Sequence, residues 1–471
     1  MLMFSKQLAS PRRLFWAWLI SLFVVAGCSP ETSAPGHSSL EVNSVSNSVP
    51  AKFAGYEKPL PRFAADHPGM LPSYRLPSER RTAGKADAYA EQRAANPEWY
   101  SITIPPSDVS TKVQGMIEWE PMQALLLAAA DTSLPDAIDQ GFAEMTFATV
   151  RDAGVDTYLL YSNSDHKQVI ESKLVALGAT AEDFTRVKWL SMPNDSIWIM
   201  DYGPFPVRNA SGDIAFVDFR YYDARVNDDA VPTRLGAGEF GTDTFRMPLE
   251  FEGGNLQVDT QGTCYTTQGV LWYNTATQAQ VEELMKRYLG CKQVVIMAPL
   301  QDEGTSHVDM FFKLVDDHTA VLGAYTAKQD AVNKELMDAN KDLLQDVQLP
   351  DGVPITVHRI YQPSNGTCGK GGAPGSNPIV ACDNSSDCPL GFQCYQRQDW
   401  RTYINATFVK GPKGSVNLWP NFSVQPEKQA AAKAKWESIM PDWTHTGISS
   451  DVIITWNGAM HCISRTIPAG D

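Results

Sequence analysis

Short apolar runs alternating with helix-length stretches constrain this chain more than any other feature. From "GMIEWEPMQALLLAAA" onward, the runs "QALLLAA", "DTYLLYS", "DIAFVDF", "KQVVIMA", "TAVLGAY", "ITVHRI" and "DVIITW" have the length and composition of strands. Helical patterns lie between several of them. "LPDAIDQGFAEMTFATVRDAG" closes on Gly154. "TQAQVEELMKRYLG" sets Val281, Leu284, Met285 and Tyr288 at helical spacing and closes on Gly290, a residue suited to a helix C-terminus. Strands alternating with helices predict an α/β fold rather than an all-β one. No sharp repeat at a solenoid period accompanies the alternation. The 471 residues, 43% of them hydrophobic, suffice for a large core or for more than one domain.

Before this region the texture differs. Lys6, Arg12 and Arg13 precede the apolar run "LFWAWLISLFVVAG", which has signal-peptide length and is short for a span of about 20 residues. It ends in "VAGC", small residues before Cys28, as in a bacterial lipobox. A plain cleavage site or an uncleaved anchor competes with that reading, but spacing, small residues and cysteine agree on a lipoprotein. Residues 1–27 are therefore expected to be a lipoprotein signal peptide. Cys28 is the expected lipidation site, and the product an exported protein held at a membrane by its lipid. Residues 28–110, with "SAPGHSSLEVNSVSNSVP", read as a flexible tether followed by an extended segment lying on the next domain. Residues 111–471 form the folded domain. A formal net charge of -15 argues against nucleic acid, is compatible with a cationic substrate, and mostly reflects a soluble acidic surface.

Export permits disulfides. With Cys28 assigned to lipid and Cys462 set aside, six of the 8 cysteines remain. Cys368, Cys382, Cys388 and Cys394 crowd into a Gly/Pro/Asn/Ser-rich insertion at about 365–400, expected to be stapled by two disulfides of open connectivity. The C-x5-C-x5-C spacing lacks the short C-x2-C pairs of structural zinc sites, so no metal is expected. Cys264 and Cys291 either pair or remain buried thiols.

Four stretches carry residues fit for chemistry. "IWIMDYGPFPVR" sets Asp201 three residues after Trp198; a carboxylate beside an indole can hold a flat cation, and equally can cap a turn beside a core ring. "FEGGNLQVDTQGT" has Glu252 before a glycine pair that permits a tight turn or close approach to a ligand. "GTSHVDMFFK" places His307 and Asp309 two apart, on one face if the segment is a strand. "NGAMHCISR" offers the thiol of Cys462 as a nucleophile, for which neighbouring His461 is a poor partner, because adjacent residues on a strand point oppositely.

In this order the pieces "WEP", "W-x-x-D-Y-G-P", "VDF…NDD", "GGN", "HVD", "TYIN" and "AMHC" resemble the agmatine deiminase and bacterial (Porphyromonas-type) peptidylarginine deiminase family of guanidino-group-modifying enzymes. The resemblance runs from about Met116 to the end. It implies a pentein-type α/β propeller of five ββαβ-like units around a pseudo-fivefold axis. It also implies that Cys462 attacks the guanidinium carbon and that His307 acts as general acid and then base. Asp201 and Asp309 would grip the guanidinium nitrogens, Trp198 would wall the pocket, and Asn405 would stand beside the reacting centre. No cofactor is implied.

The match has gaps. Of two arginines that clamp a substrate carboxylate in the peptidylarginine branch, Arg225 matches one, whereas Asp223 stands at the other position and suits an amine. Arg225, Asp223 and Glu252 are the expected substrate-binding residues beside Trp198. Met200 replaces an arginine usual in the agmatine branch, and "GAMHCISRTIPAGD" lacks that branch's glycine run. The expected activity is conversion of an arginine residue or a related guanidino compound to a ureido product. Agmatine deimination, an amidinotransferase using an amine acceptor, and a non-catalytic surface lipoprotein are the alternatives. The Cys-rich insertion, just before Asn405, is expected to overhang the site.

Overall fold

A computed structural model describes residues 113–130 except 116, and 134–470 except 275, 372, 376–379 and 397. Upstream it describes 64, 66–67, 69–79, 90–91 and 93–99. The expected signal peptide, Cys28 and most of the expected tether lie outside the described residues.

Five sheets repeat one construction, an antiparallel pair followed by a strand that returns parallel after a helix. Phe205–Arg208 pairs antiparallel with Ile214–Arg220, which pairs parallel with Thr244–Glu250 after the helix Val226–Leu235. Gln257–Val258, Thr263–Thr267 and Gln293–Met297 repeat the order around the helix Gln278–Leu289. Phe312–Asp316, Thr319–Ala324 and Thr356–Tyr361 do so around Ala327–Asp346. Thr407–Lys410, Ser415–Asn421 and Thr444–Ser449 do so around Pro426–Ile439. A parallel return needs such a crossover, because a tight turn joins only antiparallel neighbours.

The fifth sheet joins the two ends of the domain. Ser464–Pro468 runs antiparallel to Met122–Ala129, which pairs parallel with Asp156–Tyr161 and through it with Val187–Ser191. Leu125, Leu126, Leu127 and Ala128 are all fully buried. That explains why "QALLLAA" is a continuous apolar run: the strand is covered on both faces. Gly154 and Gly290 end their helices at φ 71° and 74°, as their positions predict.

One expected strand is absent. "DVIITW" forms a turn and then a 3-10 helix, Ile453–Trp456, closed by Asn457 at φ 71°. Ile453, Ile454 and Trp456 are all buried, and a short apolar run buried on every side has no period to separate helix from strand.

The residues just before the domain pack on it. Ser73 N–H donates to the Trp456 carbonyl (3.1 Å) and Ser73 Oγ to the Asn457 carbonyl (2.5 Å). Trp198 Nε1 donates to the Leu71 carbonyl (2.8 Å) and Tyr222 to that of Ser73 (3.2 Å). Arg75 pairs with Glu250 and lies 4.4 Å over the Tyr222 ring.

The Cys-rich insertion is a small sheet centred on Gly366–Lys370, stapled by Cys368–Cys388 and Cys382–Cys394. The sulfurs of Cys368, Cys382 and Cys388 lie close together, but each is spent in a disulfide and is not a thiolate ligand. Buried Arg401 anchors the base of the insertion through Ser364, Thr367 and Asp399.

Cys264–Cys291 links the strand Thr263–Thr267 to the segment just before its parallel neighbour Gln293–Met297, across 27 residues. Closing a loop of that length restricts the unfolded chain by about 3 kcal/mol. The double variant Cys264→Ala/Cys291→Ala should therefore unfold at lower urea concentration by about that free energy. An unchanged midpoint would show that this pair is not formed.

Candidate active site

Turns at the ends of several units bring the chemically capable residues together. Asp201 lies in a single helical turn, Ile199–Tyr202, after Trp198. His307 and Asp309 reach the same place by the 3-10 turn Val308–Met310, not along a strand as the two-residue spacing suggested. Cys462 follows the Ile453–Trp456 helix by a tight turn and precedes the closing strand Ser464–Pro468. Asn405 stands between Tyr403 and the strand Thr407–Lys410.

Asn405 is the hub around the thiol. Its Nδ2 stands 3.2 Å from Cys462 Sγ, and its Oδ1 accepts the His461 N–H at 3.0 Å. Cys462 Sγ is 3.6 Å from Asp309 Oδ2. On the opposite side His307 Nδ1 stands 3.5 Å from Asp201 Oδ1, while its Nε2 bonds Glu252. Gly254 N–H donates to Asp201 Oδ1 at 3.2 Å.

All these groups are buried; Cys462, Asp201, His307, Asp309 and Asn405 are each no more than 2% exposed. Burial makes the charge balance severe. Burial, with Glu252 and Asp309 nearby, pushes Asp201 up to about 8 despite His307. Burial alone would lower His307, but Asp201 and Glu252 outweigh it and hold the imidazole protonated to about 10. Burial and the carboxylates of Asp309 and Asp201 push the Cys462 thiol well above its ordinary value.

Among the described residues, the buried polar atoms without a hydrogen-bond partner include three of this site: Asp201 Oδ2, Asp309 Oδ1 and His307 Nδ1. Two carboxylate acceptors left open next to a thiol match a planar ligand with N–H donors on two sides.

The profile of the Porphyromonas-type peptidyl-arginine deiminase family matches residues 115–468, most of the chain. This chain belongs to that family. As a member it is a deiminase of the guanidino-modifying type, a hydrolase of amidine C–N bonds. A relative from Shewanella frigidimarina, named for agmatine deiminase activity, is 25% identical over 345 residues, 70% of this chain and 87% of its own. A solved Porphyromonas gingivalis structure, described as an arginine deiminase, shares the fold with TM-score 0.60 and 20% identity, over 76% of this chain and 99% of its own. The agmatine deiminase of Enterococcus faecalis does so with TM-score 0.62 and 18% identity, over 78% and 99%. The five-unit α/β architecture is thus that of the pentein deiminases.

Within this deiminase some expected residues sit elsewhere than expected. Arg225, expected to bind substrate, is fully buried and spends its guanidinium inside the fold. Its Nε and Nη2 meet Glu79 at 2.8 and 3.0 Å, and its Nη1 meets the Tyr221 hydroxyl at 3.1 Å. Asp223 is ion-paired with Arg220 at 2.9 Å. Glu252, also expected at the substrate, bonds His307 instead and is held below its ordinary value; burial would raise it, but the imidazolium outweighs burial. Trp198 is buried against the Gly458 turn that leads into Cys462.

Other residues were not foreseen. His461 bridges Asp309 and Glu118 at 2.7 and 2.8 Å, and Lys313 pairs with Glu118. His461 lies in "AMHC", read for its cysteine, and Lys313 ends "GTSHVDMFFK", read for His307 and Asp309; Glu118 stands one residue before "WEP". The glycine pair forms a tight 3-10 turn, Gly253–Asn255, against the site. A methyl on Gly254 would stand 2.6 Å from His307 Nδ1 and 2.7 Å from Asp201 Oδ1. Gly254→Ala should therefore lower kcat/KM by roughly 10²-fold, the cost of displacing reacting groups by about 1 Å. Steady-state kinetics beside thermal unfolding will check this; full activity would show that the site tolerates the methyl.

Proposed function

We propose that the protein hydrolyses the guanidino group of an arginine residue, or of a related guanidino compound, to a ureido group and ammonia through a covalent intermediate on Cys462. The observation that carries this is the pair of buried carboxylates whose fields reach the thiol, each with one oxygen that has no hydrogen-bond partner, Asp201 Oδ2 and Asp309 Oδ1. A guanidinium satisfies both with its N–H donors and supplies a positive charge. Its arrival cancels the two carboxylate fields that keep Cys462 protonated, so the thiol loses its proton when substrate is in place.

The thiolate then attacks the guanidinium carbon. His307, protonated in the free site, gives its proton to the departing nitrogen, and ammonia leaves a positively charged thiouronium. Water, losing a proton to His307, adds to the same carbon. Collapse breaks the C–S bond, releases the ureido product with one proton and returns Cys462 as thiolate. Asn405, 3.2 Å from Sγ, holds the nucleophile in line. Trp198 walls the turn beside it.

A second reading, a small guanidino compound such as agmatine, is favoured by enclosure. Residues 71–75 bond to Trp198, to Trp456 and Asn457 just before Cys462, and to Tyr222 and Glu250. They cover a site whose reacting groups are already sealed from water. A small molecule fits beneath such a cover more readily than a peptide.

The N-terminus reads as an export signal with Cys28 acylated, placing the enzyme at a membrane. Three disulfides in the domain support an oxidising compartment.

A colorimetric ureido assay on free arginine, agmatine, and peptides with internal or C-terminal arginine tests the reaction and ranks the substrates. Wild type should give product on at least one without an added amine acceptor, and Cys462→Ala on none. Product that survives the substitution would sink the mechanism. The pH profile offers a separate check. Asp201 must be ionised to grip the substrate, and its value near 8 means kcat/KM rises toward that pH. His307 must be protonated, and its value near 10 means kcat/KM falls above it. The profile should be a bell on the alkaline side; a maximum below pH 7 would contradict these assignments.

A further inference from the structure

A chain of buried charged groups stands behind Asp309, on the side away from its open oxygen. His461 Nδ1 lies 2.7 Å from Asp309 Oδ2, and His461 Nε2 lies 2.8 Å from Glu118 Oε1. Lys313 pairs with the other Glu118 oxygen and lies 4.9 Å over the Phe408 ring. His461 and Lys313 are each 1% exposed. The four residues come from three distant parts of the chain: the segment before Met122–Ala129, the turn and strand at 308–316, and the turn at Cys462.

We propose that His461 and Glu118 are positioning residues, which fix the Asp309 carboxylate: His461 holds Oδ2, the oxygen beside the Cys462 thiol, and leaves Oδ1 open to the guanidinium. This rests on the reading of Asp309 as a substrate-gripping carboxylate. A carboxylate bonded through one oxygen by a ring that is itself held at its far nitrogen has little freedom to rotate. The open Oδ1 is what that restraint leaves for the ligand. Asp309 cannot turn both oxygens to His461 without giving up the substrate.

The chain also sets charge. Both ring nitrogens of His461 face carboxylates, which suits an imidazolium with two donors. Burial alone would lower its pKa, but Glu118 and Asp309 raise it against the opposing field of Lys313. Glu118 is held far below its ordinary value by His461 and Lys313, although burial opposes this. The same neighbourhood includes Asp201, and Arg465, whose guanidinium feels both Glu118 and Asp201. Removing the imidazolium leaves Asp309 beside Glu118 with one fewer cation, and the Cys462 thiol, which already feels Asp309, becomes harder to ionise.

Orientation and charge separate experimentally. His461→Ala removes both; His461→Asn keeps a side-chain N–H near the place of Nδ1 but no charge. On whichever guanidino substrate the wild type turns over, His461→Ala should lose roughly 10²-fold in kcat/KM. His461→Asn should recover a large part of the KM. The thiolate absorbance of Cys462, read as the difference from the same variant carrying Cys462→Ala, should titrate at higher pH in both variants than in wild type. Glu118→Gln should lower kcat/KM less than His461→Ala. Equal KM and an unshifted thiol titration in folded His461→Asn and Glu118→Gln would overturn the proposal. So would His461→Asn recovering no more than His461→Ala. Asp309→Asn is the arm that tests the underlying reading: full activity there would remove the gripping role itself, whereas its loss with unaffected His461 variants would remove only the positioning.

Discussion

The pairing of Ser464–Pro468 with Met122–Ala129 is the constraint on which the site depends. It joins Ser464–Pro468, near the end of the chain, to a strand near the start of the domain, and so ties the fifth sheet across the two ends. The turn that holds Cys462 immediately precedes that strand, and Glu118 lies just before its partner. Two residues more than 340 positions apart, His461 and Glu118, meet because the closing ladder sets both. Where the pairing is in register the nucleophile is in place; a slipped register would move the thiol and its carboxylate neighbours together.

A second constraint is electrostatic. Asp201, Asp309, Glu252 and Glu118 share one buried neighbourhood with His307, His461 and Lys313. Ions taken out of water this completely are tolerated when each is paired and hydrogen-bonded. Glu252 has His307, and Glu118 has both His461 and Lys313. Asp201 and Asp309 keep one oxygen each unanswered. Those two oxygens are the ones that the proposed guanidinium would answer with its N–H donors.

Much of this was legible in the chain, for specific reasons. The α/β alternation follows from run length and helix spacing, and Gly154 and Gly290 mark their helix ends by a requirement few other residues meet. Asp201, His307, Asp309, Asn405 and Cys462 converge as the ordered motifs implied, because those motifs sit at turns. What failed was local geometry inside buried segments. "DVIITW" carries no period, since every side of it is covered. His461 was set aside on the premise of a strand, where neighbours diverge; in a turn both it and Cys462 approach Asp309 Oδ2. Arg225 looked free to clamp a ligand because its partner, Glu79, belongs to a segment that composition marks as irregular, and an ion pair across 146 residues leaves no trace in local pattern.

Cys462, the free thiol among the described residues, is best understood against the six cysteines that pair. Thiolate, not thiol, is the species that exchanges with disulfides and climbs the oxidation ladder. In the empty site Cys462 is 2% exposed, and burial and two carboxylates hold it protonated. The same carboxylates that suppress the thiolate are those with oxygens open to a guanidinium. Under the proposed mechanism, protection and activation would share one cause: the thiol would stay protonated until a cation had neutralised Asp201 and Asp309.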